Sequence, residues 1–186
     1  TPLKQLGYKM KTQPNLILVC LLICFPLKGI CQSNRPNIIY VMTDQLRHDM
    51  MGYSGNFKAI TPSIDKMATE GINFKNCVSV TPVCASHRAS LITGKYSSST
   101  GMVTNEIRIN PNQKTIAHIL TENGYETGYI GKWHLWANMA GHHGELETAY
   151  TPPGPYRMGF DGYWAAYNFN HMNYQGYYFE DSTERK

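Results

Sequence analysis

The chain has 186 residues, 42% hydrophobic and 16% charged, with a formal net charge of +4 at pH 7. All of this excess comes from Lys4, Lys9, Lys11 and Lys28, because removing four of the 17 basic residues leaves 13 against 13 acidic ones. The balanced remainder excludes a global field for nucleic acid or anionic lipid, so any anion must be bound at a local site.

Residues 1–31 have the layout of an upstream extension followed by a secretory signal peptide. Two lysines precede a 12-residue apolar run at 16–27, and after Lys28 the uncharged residues Gly29, Ile30 and Cys31 follow. A membrane-spanning helix needs roughly 20 apolar residues, so a signal cleaved near Cys31 is favoured over a membrane span. Lipidation of Cys31 is a second interpretation. The pattern predicts an exported protein, periplasmic, cell-surface or secreted, whose mature part here is 32–186.

Only Cys77 and Cys84 remain after this leader. Two cysteines do not form a disulfide framework. A bridge between them is an alternative that the sequence disfavours.

The rest of the chain alternates strand and helix signals. A buried parallel strand is predicted at Asn37–Thr43, because this run is apolar and rich in β-branched residues. The later predictions are a helix from Pro62 capped by Thr61 and stopped at Gly71, a strand Ile72–Val78, a helix Ala85–Thr93 closed by Gly94, a helix capped by Thr115 and ended by Gly124, and a strand Thr127–Ile130. This alternation indicates an α/β fold with a mainly parallel sheet flanked by helices.

An aromatic segment follows, in which ten of the 24 residues from Tyr156 to Phe179 are Tyr, Phe or Trp. Such side chains suit the faces of sugar rings, and they equally suit packing against other parts of the protein. The sequence leaves both interpretations open.

Reactive side chains occur at the ends of three predicted elements. Asp44 and Gln45 follow the first strand, where ligands bind in open α/β sheets, and their oxygens suit Ca²⁺ or Mg²⁺. Cys84 falls in the first turn of a helix, with Arg88 one turn later on the same face.

The third group follows the last predicted strand. In an extended segment Lys132 and His134 point to one side and Trp133 to the other. Each of the three groups taken alone also has an ordinary structural explanation.

Together, the segments Asn37–Asp44, Thr61–Phe74, Cys84–Gly94 and Gly131–Leu135 come in the order and spacing of the sulfatase family. The chain resembles the amino-terminal part of a type I sulfatase catalytic domain, of the alkaline phosphatase-like superfamily. Gly159-Phe160-Asp161 is also similar to the family's pattern.

The resemblance implies hydrolysis of a sulfate ester of a carbohydrate or an aryl group. A sulfatase-maturing enzyme would oxidise Cys84 to formylglycine, whose hydrate supplies the nucleophile. Arg88, Lys132 and His134 would stabilise charge or hydrogen-bond the reacting oxygens. Ca²⁺, with Mg²⁺ as the lesser choice, would be bound by Asp44, Gln45 and the group derived from Cys84.

The sequence departs from the family pattern in three respects. Ser86 occupies a motif position that is Pro or Ala in the family, and Gln45 replaces a frequent second Asp. The downstream metal ligands of the family have no match up to Lys186, so the fold is expected to be incomplete at its carboxyl end and this chain inactive alone. Phosphate or phosphonate ester hydrolysis, and glycan binding without cleavage, are the alternative functions.

Overall fold

The computed structural model describes residues 35–136, 142, 144–170, 172 and 174–186. The expected leader, residues 1–31, lies outside this part of the chain. The chain divides into two compact units, residues 1–42 and residues 43–186.

In the first unit, residues 35–42 have no regular secondary structure, and Ile39 and Val41 are 84% and 82% exposed. The predicted strand Asn37–Thr43 is therefore wrong. Its apolar run is present, but a strand forms only where a neighbour satisfies its backbone hydrogen bonds, and among the described residues none pairs with it.

The second unit contains the helices, and the predicted ones form within a residue of their expected starts. The α-helices are α1 (Pro62–Glu70), α2 (Cys84–Thr93), α3 (Ser97–Thr100), α4 (Ile116–Glu122) and α5 (Leu146–Ala149), and 3₁₀ turns occur at His48–Met50, Gly52–Ser54 and Pro155–Arg157.

The helix ends follow local chemistry. Gly94 ends α2 in the left-handed conformation, with φ of 68°, and donates its N–H to the Ser90 carbonyl. Thr115 begins α4 with a reciprocal capping box in which His118 is the other member. Thr61 precedes α1 as predicted, but its hydroxyl accepts from Gly52 N–H and does not cap the helix.

The sheet consists of two parallel strands, β1 (Tyr129–Lys132) and β2 (Trp164–Tyr167). Tyr129 pairs with Trp164 and Lys132 with Tyr167. The strand predicted at Thr127–Ile130 thus begins and ends two residues later, so Lys132 lies within the strand and not beyond it. The predicted strand Ile72–Val78 is absent from the described structure, and both of its terminal residues are more than 80% exposed.

The core lies between α2, the strands and the segments that connect them. Ala85, Ala89 and Ile92, spaced by one turn along α2, face this core. The other members are Met102, Ile109, Trp133, Leu135, Met158, Trp164 and Ala166. Burial of this face places Cys84 and Arg88 at the edge of the core.

The aromatic segment is partly packed in the protein and partly exposed. Trp164 and Phe179 are buried, whereas Tyr163 is 58% and Tyr174 fully exposed. Over the described ranges, no helix is long and apolar enough to cross a bilayer.

Candidate active site

Asp44 forms the centre of a cluster whose members come from distant parts of the second unit. Its Oδ2 accepts hydrogen bonds from Lys132 Nζ at 2.8 Å and from Arg88 Nη2 at 3.3 Å. Its Oδ1 lies 3.6 Å from the Cys84 Sγ, which donates to it. The structure therefore brings together four residues that the sequence places on three separate segments.

The charge of this cluster is positive, because Arg88 and Lys132 together face one carboxylate. Both cationic side chains are less than 10% exposed, and Asp44 is 44% exposed. Partial burial raises the pKa of Asp44, but the hydrogen bond and charge of Lys132 and the charge of Arg88 outweigh it and lower that pKa to about 2. The carboxylate is thus ionised at neutral pH, and the surplus positive charge suits an anionic group.

Cys84 is the first residue of α2 and is partly exposed. Val83, just before it, has an extended backbone, and the N–H of Ala85 donates to Asn105 Oδ1 at 3.1 Å. Cys77 is a free, exposed cysteine, so the disfavoured bridge to Cys84 is not formed. The start of α2 thus presents the thiol to solvent and to Asp44 at once.

Arg88 follows one turn later, and its guanidinium is fixed on the side away from Asp44. Its Nη1 donates to the hydroxyl of Tyr129 at 3.3 Å and to the backbone carbonyl of Lys132. The Tyr129 hydroxyl in turn donates to the same carbonyl at 2.6 Å. Burial of Tyr129 raises the pKa of its phenol, which keeps it a hydrogen-bond donor.

Lys132 and His134 both lie next to the ring of Phe169. The Lys132 Nζ is 5.7 Å from the ring centroid, and the His134 ring is 5.0 Å from it in an edge-on arrangement. Trp133 packs in the core on the other side. The two polar residues thus share a side as predicted, although His134 is not extended but left-handed, with φ of 58°.

This uncommon backbone conformation at His134 is supported by hydrogen bonds on either side of it. Trp133 N–H donates to the Tyr167 carbonyl at 2.7 Å, and Trp136 N–H donates to Asn168 Oδ1 at 3.1 Å. The Leu135 carbonyl accepts from Ile109 N–H at 2.9 Å. A non-glycine residue in this region costs about 1–3 kcal/mol and is concentrated at functional sites.

Gln45 joins the cluster through its backbone, whose N–H donates to Asp44 Oδ1 at 3.0 Å. Carboxylate and amide oxygens are the donors that a hard cation such as Ca²⁺ prefers, so Asp44 and Gln45 fit such an ion in type. In the part of the chain that the structure describes, no three His, Cys, Asp or Glu residues form a metal-binding group. With such an ion bound, these two residues would fill only part of a coordination shell of six to eight oxygens.

Comparison with known proteins identifies the family. The sequence model of the Sulfatase family matches residues 36–185, almost all of the chain that follows the predicted leader. The chain belongs to the sulfatase family. Its four-residue cluster is accordingly assembled from the segments in which the family motifs were found.

Individual relatives agree with this assignment. The Ulvan-active sulfatase of Formosa agariphila is 44% identical over 156 residues, covering 83% of this chain and 29% of that protein. The crystal structure of YidJ from Bacteroides fragilis has a TM-score of 0.68 at 33% identity, covering 81% of this chain and 35% of that one. A structure solved with its substrate D-glucosamine-2-N,6-O-disulfate has a TM-score of 0.65 at 33% identity, covering 82% and 27%.

These relatives confirm the expected fold class and its incompleteness. The sulfatase chain described here has the partial α/β domain, with a parallel sheet, of the alkaline phosphatase-like fold. It spans about a quarter to a third of the length of the relatives it matches.

Several residues around this sulfatase site were not identified from the sequence. Tyr129, Phe169, Asn105 and Asn168 each contact a site residue or the backbone beside one. Their positions in the chain carry no motif of their own, because each acts through a contact that only the fold creates. The sequence predicted only that Lys132 and His134 point to the same side of the chain. Phe169 is the residue that both contact there.

Proposed function

We propose that the protein containing this chain hydrolyses sulfate esters. The observation that carries the proposal is the convergence of Cys84, Arg88 and Lys132 on Asp44 in a chain that belongs to the sulfatase family. Similarity to the Ulvan-active sulfatase supports the same activity.

The two cations have complementary tasks in this proposal. Arg88 is buried and fixed by three oxygens, so it acts as a preorganised donor to the negative charge that develops on reacting oxygens. Lys132, the last residue of β1, donates to the same Asp44 oxygen as Arg88 and neutralises the sulfate group as charge spreads over it. His134, whose ring contacts Phe169 as Lys132 does, hydrogen-bonds the ester oxygen or the nucleophile.

Two groups complete the proposed site. Cys84, oxidised to formylglycine by a sulfatase-maturing enzyme, supplies an aldehyde hydrate as the source of the nucleophilic oxygen. Asp44 and Gln45, with the group derived from Cys84, would contribute ligands to Ca²⁺, which polarises a sulfate oxygen and lowers the pKa of a bound hydroxyl. The partial exposure of Cys84 is compatible with access of substrate from solvent.

The proposed substrate is a sulfated carbohydrate. A relative acts on ulvan by its name, and another was solved with a disulfated glucosamine as its substrate. Exposed Tyr174 in the aromatic segment offers a ring face of the kind that sugars bind. Export through the predicted leader would place the enzyme where such polymers occur.

The decisive experiment uses the complete protein, produced with a sulfatase-maturing enzyme and supplied with Ca²⁺. Matched sulfate and phosphate esters of one aryl alcohol and one sugar are offered, and released sulfate or phosphate is measured. We expect sulfate release, which Cys84→Ala abolishes and Cys77→Ala, at an exposed cysteine, leaves unchanged.

Peptide mass spectrometry of the same samples should find Cys84 converted to formylglycine. Preferential cleavage of the phosphate esters would replace the proposal by the alternative ester hydrolase. Glycan binding without release of either anion would show that the protein is not an enzyme. Full sulfatase activity with Cys84 as an unmodified thiol would contradict the proposed mechanism.

A further inference from the structure

Arg88 makes two hydrogen bonds that its proposed interaction with the sulfate group does not require. Its Nη1 carries two N–H groups, and two oxygens accept from this atom, the Tyr129 hydroxyl and the Lys132 carbonyl. Its Nη2 reaches Asp44 on the opposite side. Three oxygens in different directions restrict the orientation of a planar guanidinium more closely than two do.

Tyr129 is suited to this arrangement because its single hydroxyl proton is already used. It donates to the Lys132 carbonyl at 2.6 Å, so the hydroxyl oxygen faces Arg88 as an acceptor. The carbonyl then accepts from both Tyr129 and Arg88, which uses both of its lone pairs. This set of contacts uses both Nη1 protons of Arg88, the hydroxyl proton of Tyr129 and both lone pairs of the Lys132 carbonyl.

The Tyr129 ring is in turn fixed by aromatic neighbours of the core. It packs edge-on against Trp133 at 4.9 Å and against Phe160 at 5.3 Å, and it stacks on Trp164 at 5.5 Å between ring centroids. Because Tyr129 begins β1 and Lys132 ends it, the strand also fixes the spacing between hydroxyl and carbonyl. The hydroxyl position is therefore determined by the sheet and the core.

We infer that Tyr129 is a positioning residue, whose hydroxyl sets the orientation of the Arg88 guanidinium toward Asp44 and Cys84. The inference rests on the proposed function, in which Arg88 stabilises charge on the reacting sulfate. Without the hydroxyl, one N–H of a buried Arg88 loses its acceptor, and two oxygens instead of three hold the guanidinium toward the thiol end of the site. The Tyr129 hydroxyl hydrogen-bonds Arg88 and the Lys132 carbonyl, so it acts on the site through Arg88.

The variant that isolates the hydroxyl is Tyr129→Phe, because phenylalanine retains the ring and its packing. Tyr163→Phe is the matched control, since Tyr163 also lies beside the sheet but donates to Glu180 at the surface. Melting temperatures of both variants show whether the fold is retained. The variant Arg88→Lys lacks the guanidinium, so it identifies which NMR signals belong to Arg88. It is also the second background in which Tyr129→Phe is tested.

The first measurement does not depend on activity. In the ¹⁵N-labelled complete protein, the Nη protons of Arg88 should give separate, slowly exchanging NMR signals in the wild type and in Tyr163→Phe. In Tyr129→Phe they should merge, or exchange with water about tenfold faster or more, as expected for loss of a hydrogen bond to a charged group. Merged signals in the wild type, or separate signals that Tyr129→Phe leaves unchanged, would overturn the inference.

The second measurement uses the complete, matured protein. Tyr129→Phe should lower kcat about tenfold while KM changes by about twofold or less, because the interaction it supports develops in the transition state. In the Arg88→Lys background the same substitution should change kcat by less than about twofold. Equal losses in both backgrounds would show that Tyr129 acts independently of Arg88 and contradict the inference.

The two measurements separate this inference from the function on which it rests. A wild-type protein that lacks sulfatase activity while its Arg88 signals depend on Tyr129 would remove the proposed function and leave the positioning role intact.

Discussion

At the scale of single residues, Arg88 is the side chain that connects the parts of the candidate site. It joins Asp44 to the Tyr129 hydroxyl and the Lys132 carbonyl, and it is almost completely buried. A buried cation is retained only where its charge is balanced and its donors are satisfied. The residues around Arg88 are therefore as restricted in type and position as those around Cys84, although arginine is chemically unreactive.

Arg88→Ala should lower kcat/KM of the complete, matured protein by about 10²–10³, since the loss of one preorganised donor typically has an effect of this size. Initial rates with a sulfated sugar measure it. Arg47→Ala is the control, because Arg47 pairs with Asp49 at the surface, where a salt bridge contributes little, and should stay within about twofold. Equal effects of the two substitutions would show that the loss at Arg88 is not specific.

At the scale of elements, the short helix α4 shows how the site is supported from a distance. Thr115 caps it, and the same hydroxyl donates to the Met158 carbonyl at 2.6 Å. Met158 belongs to the core that packs against Trp133 and Trp164. One buried hydroxyl thus fixes both the start of a helix and the turn that leads to β2.

Thr115→Ala should therefore destabilise the chain by about 1–3 kcal/mol, because it removes a cap and leaves a buried carbonyl without this donor. The free energy of unfolding in urea measures the change. Thr69→Ala, at an exposed threonine within α1, should cost less than about 0.5 kcal/mol. A loss at Thr115 no larger than that at Thr69 would contradict the role of the shared hydroxyl.

The elements also show which parts of the fold the sequence predicts. Helices α1, α2 and α4 were predicted because their signals are local, namely threonine before α1 and α4 and a glycine after the last turn of each. The four-residue helices α3 and α5 were not predicted. The sequence features that predict a strand describe that strand alone and not the neighbouring strand with which it must pair. Asn37–Thr43 and Ile72–Val78 have the composition of strands, but pairing depends on chain that lies far away in sequence.

The same distinction holds for the site. Asp44, Cys84, Arg88 and Lys132 were found because the family motifs surround them, and the structure places all four in contact. Tyr129 was not found, because its relevance depends on a hydroxyl that meets a guanidinium 41 residues away in the chain. The left-handed backbone of His134 was also missed, since an extended continuation of the strand was expected.

At the scale of the whole molecule, apolar exposure stands out. Phe57 and Ile60 are 91% and 93% exposed, and Ile72 and Val78 are 81% and 86% exposed. Scattered apolar side chains are normal at a surface, but complete exposure of aromatic and β-branched residues is unusual. Together with the length of the relatives, this exposure agrees with a domain of which these 186 residues form only a part.

The last prediction follows from that comparison. The 186-residue chain alone should give no measurable turnover of an aryl sulfate, even after maturation and with Ca²⁺, because Asp44 and Gln45 supply only part of a shell of six to eight oxygens. The complete protein, prepared and assayed in parallel, is the positive control. Cys84→Ala chain serves as the blank for contaminating enzyme. Turnover by the chain above that blank, at a rate near that of the complete protein, would show that the residues described here are sufficient for catalysis.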